Sequence, residues 1–171
     1  MSLLDLLLFR PADPTAEWAR TNHPLPPVRM WPFAIGPLGL GDPLSAAEFL
    51  GRPEKCERFR KSSYVRLIYA RRGLVLEFSE NELVEVLFHI GDGVFSAPTK
   101  DSVYCRPQLE GGGELSDATT IDEAKRLLGE PHETDVDEDD GEVVLKYVDG
   151  DVLQELEFNS QGKLGAWVAM F

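Results

Sequence analysis

The sequence predicts an α+β fold built as two tandem repeats, each a short helix packed on a four-stranded antiparallel sheet. Three observations predict it. Phe49-Leu50-Gly51-Arg52-Pro53 recurs as Leu127-Leu128-Gly129-Glu130-Pro131, 78 residues later (127 − 49). Arg66-Leu67-Ile68-Tyr69 recurs as Val144-Leu145-Lys146-Tyr147 at the same offset. Leu76-Glu77-Phe78 recurs as Leu156-Glu157-Phe158, and Leu83 matches Leu164, so the drift needs only small insertions in turns.

Residues 1–40 read as an N-terminal extension. Met1 to Arg10 is apolar but interrupted by Asp5, lacks a basic start and a cleavage site, and is too short to span a bilayer; a helix docked on the body is expected. Asp13-Pro14 suits a helix start, with Asp as the cap and Pro in the first turn, and that helix should run through Trp18 to about Arg20. The prolines of His23-Pro24-Leu25-Pro26-Pro27 favour extended backbone, because each also restrains the residue before it.

Repeat one spans residues 41–91. A helix is expected over Leu44–Leu50, stopped by Gly51 and Pro53. Strands are expected at Lys55–Arg60, Tyr64–Ala70, Leu74–Phe78 and Glu82–Ile90, with turns at Arg72-Gly73 and Glu80-Asn81. Val65, Leu67 and Tyr69 alternate with Tyr64, Arg66 and Ile68, the period of a half-buried strand. Residues 92–118 form a connector whose loosest point is Gly111-Gly112-Gly113; no Gly-Lys-Ser/Thr follows, so this is a linker and not a phosphate loop, and Val103-Tyr104-Cys105 would add a short strand.

Repeat two spans residues 119–171. Thr120 and Glu123 have capping-box spacing at the start of a helix that Gly129 ends. Strands are expected at Glu133–Val136, Glu142–Val148, Val152–Phe158 and Lys163–Met170, with hairpin signals at Asp149-Gly150 and Gln161-Gly162. Leu67, Tyr69, Leu76 and Phe78, with Leu145, Tyr147, Leu156 and Phe158, should form the core.

Charge and motifs narrow the function classes. Thirty acidic residues against 17 basic give a net charge of −13, which disfavours nucleic acid and anionic membranes as partners. Cys56 and Cys105 are too few and too far apart for a disulfide framework, so two reduced thiols in the cytoplasm are expected. The chain has no GxSxG, P-loop, GxGxxG or HExxH motif, and His23, His89 and His132 lack metal-ligand spacing. No catalytic residue, cofactor or metal is therefore expected. Asp135, Asp137 and Asp139 have the 1-3-5 spacing of a calcium loop, but Asp140 replaces its turn glycine and Lys146 its closing glutamate.

The recurrence also carries a charge contrast. Residues 52–72 hold eight basic and two acidic side chains, whereas residues 133–142 hold seven acidic and none basic. Arg60 and Lys61 match Glu138 and Asp139, which suggests attraction between the two hairpins or self-association through them.

The helix–Leu-Gly-x-Pro–strand pattern, written twice, resembles the β-lactamase-inhibitor-protein fold and, as a single unit, the small lipoproteins of outer-membrane assembly. The resemblance covers residues 41–91 and 119–171. It implies a combined sheet whose concave face binds another protein. The family member is secreted and disulfide-bonded, whereas this chain has two cysteines and no lipobox cysteine near its start. The expected function is a non-enzymatic, bacterial protein-binding module of inhibitor or immunity type. Its candidate surface is Tyr64, Arg66, Glu77, Lys146, Glu155 and Trp167, with Trp167 as the anchor. Two alternatives are a small enzyme or ligand-binding domain with a site between the repeats, and an oligomeric structural or assembly module.

Overall fold

The computed structural model describes residues 13–21, 23–59, 63–92, 100 and 102–171. Three two-residue strands come first: β1 (Val28–Arg29), β2 (Ala34–Ile35) and β3 (Leu38–Gly39), paired antiparallel in that order. A 3-10 helix, Leu44–Leu50, precedes β4 (Lys55–Arg58), β5 (Val65–Tyr69), β6 (Leu74–Ser79) and β7 (Glu82–His89). Helix α1 (Ile121–Leu128) precedes β8 (Glu133–Val136), β9 (Val143–Asp149), β10 (Val152–Phe158) and β11 (Leu164–Met170). The last eight strands make one antiparallel sheet in the order β4-β5-β6-β7-β11-β10-β9-β8.

This corrects the expected fold class. The protein is mostly β, with one continuous eight-stranded sheet and a three-stranded one, and not two separate units of an α-helix on four strands. The two segments expected as helices also differ in kind. Thr120 Oγ1 accepts the Glu123 N–H at 3.4 Å, and Asp122 and Glu123 sit in the first turn, so α1 starts on a capped, charge-complemented end. The earlier segment starts at Pro43, with no side-chain cap and no acid in its first turn, and closes as a 3-10 helix. The sheets merge because β7 and β11 would otherwise present unpaired edges in the middle of the molecule. Glu85–His89 pairs instead with Ala166–Met170.

The N-terminal extension also departs from expectation. Residues 14–17 form turns and not a helix: the backbone closes in three-residue steps, Ala16 N–H to Asp13 O (3.2 Å) and Trp18 N–H to Thr15 O (3.0 Å), with Asp13 Oδ1 capping the turn by accepting from Thr15 N (2.9 Å) and Thr15 Oγ1 (2.7 Å). The three small strands deliver Val28, Ile35 and Leu38 to the core, and the turn between the first two adds Phe33. Gln154, fully buried on β10, donates from Nε2 to the Met30 carbonyl at 2.8 Å and fastens the small sheet to the large one. Val103-Tyr104-Cys105 is not a strand; it follows the sheet end through Val103 N–H to Ala70 O (2.9 Å) and Cys105 N–H to His89 O (2.6 Å). The apolar run before residue 13 lies outside the described residues.

All eight expected core residues are at most 2% exposed. The seam between the halves is aromatic: Phe88 and Trp167 are register partners with ring centroids 5.1 Å apart, and Phe33 meets Trp167 edge-on at 5.7 Å. Each helical segment is tied to the sheet in the same way. Tyr69 donates its hydroxyl to Gly51 O at 3.0 Å, and Tyr147 donates to Gly129 O at 3.1 Å.

Candidate functional site

One face of the large sheet carries the core; the other is built from the alternate residues of the same strands. A single register row crosses all eight strands on this outer face: Lys55, Ile68, Val75, Leu87, Val168, Glu155, Lys146 and Glu133. Its centre is apolar and both ends are charged. A neighbouring row runs Glu57, Arg66, Glu77, Glu85, Met170, Leu153 and Val148. A third places His89, Ala166, Glu157, Val144 and Asp135 side by side. The three rows hold seven carboxylates and three cationic side chains, so the face is acidic around an apolar middle.

Four of the six expected surface residues lie on this face. Arg66 and Glu77 are an ion-paired cross-strand couple, with Glu57 Oε2 a further 3.9 Å from Arg66 Nη1. Lys146 stands opposite Glu155, bonds Asp135 on the edge strand, and lies 3.9 Å from Glu133 Oε2. The two couples occupy opposite halves and do not form one cluster. Tyr64 precedes β5, half-buried, with its ring edge-on to Phe59 at 5.4 Å. Trp167 is a correction: it is fully buried on the core face, because it shares strand parity with Leu156 and Phe88 across its two neighbouring strands. It cannot serve as an exposed anchor.

Two carboxylates dominate the electrostatics. Burial, with Glu85 and Glu57 close by, pushes Glu77 up to about 7. The Arg66 guanidinium opposes this by pairing with its charged form. Burial, with Glu155 and Glu142 close by, pushes Glu157 up to about 7; among the described residues Glu157 has no ion-pair partner, and its Oε2 is buried without a hydrogen-bond partner. Burial also raises Glu85, with Arg66 pulling the other way. His89 is held low by burial, its Nδ1 is unpartnered, and Tyr104 packs edge-on against its ring.

Glu85 and Glu157 were not among the expected site residues. The signal for Glu157 is in the chain: Leu-Glu-Phe occurs twice, with Glu77 in the first copy and Glu157 in the second. Both copies also carry a register shift at the Glu-Phe step. Glu85 needs the register of the β6–β7 hairpin, which sets it opposite Glu77.

No group of three or more metal-ligating side chains occurs among the described residues. In the acidic turn, Asp137 Oδ1 accepts the N–H groups of Asp139 (2.8 Å) and Asp140 (3.2 Å), so it closes the loop on itself. Cys56 and Cys105 are free thiols, and burial pushes both up to about 12. No helix among the described residues is long and apolar enough to cross a membrane.

Neither the protein-family models nor the curated proteins give a match to this sequence. Among solved structures, a DUF4309 family protein (YjgB) from Bacillus subtilis is similar at a TM-score of 0.40 and 13% identity, over 74% of each chain. A cysteine-rich secretory protein from Staphylococcus aureus is similar at a TM-score of 0.38 and 14% identity; the match covers 77% of this chain and 42% of that one.

Proposed function

We propose that this chain is a non-enzymatic, cytoplasmic bacterial protein-binding module of the inhibitor or immunity type, and that it takes a basic partner on the outer face of its large sheet. The observation that carries the reading is Glu157. A buried carboxylate with a bare oxygen, crowded by Glu155, is costly in isolation and is relieved by an incoming Lys or Arg. The surrounding rows supply the rest of an interface. Their charged ends, with Lys55, Glu133 and Asp135 exposed, offer contact surface, whereas Ile68, Val75 and Val168 at the centre are at most 4% exposed; the surplus of carboxylates selects and steers a cationic surface.

The test is capture on the immobilised chain at low salt, identification of the retained protein, and titration of that protein once purified. Charge reversal with Glu155→Lys and Glu133→Lys should weaken the purified partner at least about 10-fold, and added salt should weaken the wild-type complex. A partner that binds wild type and the reversed face equally, at all salt concentrations, would refute the reading.

A further inference from the structure

Two adjoining cavities, of about 330 and 270 Å³, form one cleft where the N-terminal segment lies against the first half of the large sheet. Both are lined by Thr21, Arg52, Glu54 and Arg71. Arg20 extends the lining at one end and Arg72 at the other. Four guanidiniums therefore converge in a chain whose net charge is −13.

The walls are fixed. The Arg72 guanidinium donates to Leu50 O and Thr21 O, both at 2.8 Å, and lies 5.7 Å from the centre of the Tyr69 ring. Arg52 N–H donates to Ala19 O at 2.9 Å. Gly51, at φ 76°, lets the segments approach so closely that a Cβ there would stand 2.1 Å from Thr21 Cγ2 and 2.8 Å from Ala19 O. A cleft held on both sides by hydrogen bonds is pre-organised for a ligand.

The charge inside it is not balanced by the cleft's own acids. Asp13 accepts two hydrogen bonds from Thr15, and its other oxygen lies 3.5 Å from Arg52 Nη2. Glu54 is the second carboxylate in the lining. Arg20 and Arg71 are exposed, and neither has a hydrogen-bond or ion-pair partner among the described residues. Two free planar forks facing a polar cleft match the oxygens of a phosphoryl group, which each can grip with paired N–H bonds.

We propose that this cleft binds a small phosphate-bearing ligand, held directly by Arg20 and Arg71 with Arg52 alongside, and that Arg72 positions the walls without contacting the ligand. The site is independent of the outer sheet face. The experiment titrates inorganic phosphate, phosphoserine and acetate into the full chain by calorimetry at constant ionic strength. Expected is saturable one-to-one binding of phosphate or phosphoserine, weakened at least about 10-fold in Arg20→Gln/Arg71→Gln, with acetate much weaker than either. The substituted side chains are exposed, so the variant should keep the wild-type unfolding midpoint in chloride; Arg20→Lys/Arg71→Lys, which keeps the charge but loses the fork, should bind with intermediate strength. Acetate equal to phosphate, equal binding by wild type and the glutamine variant, or no saturable binding of either phosphate compound would each overturn the assignment.

Discussion

Replacing Glu157 by Gln should stabilise the protein, and only above a defined pH. The carboxylate sits on the outer face with one oxygen unpartnered, and burial beside Glu155 and Glu142 moves it from an ordinary 4.5 up to about 7. At about 1.36 kcal/mol per unit, the full shift corresponds to roughly 3.4 kcal/mol. Solvent and salt screen a group on an outer face, which brings the expected penalty to about 1–2 kcal/mol. Between pH 4.5 and about 7 the folded chain binds more protons at this site than the unfolded chain. Stability from this group is therefore complete below 4.5 and is lost as pH rises through 7. Gln keeps the shape and removes the charge. Urea unfolding at pH 4.5, 5.5, 6.5 and 8 should give no difference between variant and wild type at the lowest pH, with a gain growing to about 1–2 kcal/mol at the highest. A difference that does not vary with pH, or a loss at pH 8, would refute the argument. Glu77→Gln should gain less, because it also breaks the Arg66 pair.

Phe158→Ala should cost about 3–5 kcal/mol in the same assay, since the ring is fully buried; a loss under about 1 kcal/mol would contradict its place in the core. Tyr69→Phe leaves the buried Gly51 carbonyl without its donor and should cost about 1–3 kcal/mol. Tyr147→Phe, whose acceptor Gly129 is exposed, should cost about 0.5–1.5 kcal/mol, and the reverse order would be inconsistent with the burial of the two carbonyls. Self-association through the oppositely charged hairpins is expected to raise solution mass at low salt and to vanish at high salt. Reversing Arg60 and Lys61 to Glu should abolish it, and adding Glu138→Lys with Asp139→Lys should restore it; no recovery would rule the contact out.

The strands were legible because alternation over five to eight residues reports which side faces the core. Glu133–Val136 and Val152–Phe158 lie where the pattern set them, and the other six expected strands match within two residues at either end. What joins them was not legible. Whether β7 and β11 close separate sheets or pair with each other depends on a contact between residues 85–89 and 166–170, and no local pattern encodes it. Trp167 shows the same limit. Its neighbours Ala166, Val168 and Ala169 are all apolar, so alternation could not say which face it took. The contribution of residues 28–39 to the core was hidden because two-residue strands have no period to detect. The charge contrast was legible, but its geometry was not: β4 and β8 are the opposite edges of one sheet, so among the described residues the basic and acidic strands lie at its opposite ends. Of those hairpin residues, Arg60 and Lys61 lie outside the described residues, while Glu138 and Asp139 stand exposed in their turn. Arg20 reaches the arginine cleft only because residues 19–21 dock against Gly51 and Arg52.

Of the eight strands of the large sheet, the one latest in chain order, β11, sits in its middle, between β7 and β10. During translation β4–β7 can assemble early, but the free edge of β7 then waits, with Val86 and Phe88 uncovered, until synthesis has reached Met170. A nascent chain in that interval carries an open strand edge next to apolar side chains, the combination that recruits chaperones or other unfinished chains. Chains cut before Leu164 should accordingly be aggregation-prone and protease-sensitive, although every residue of the first half is present.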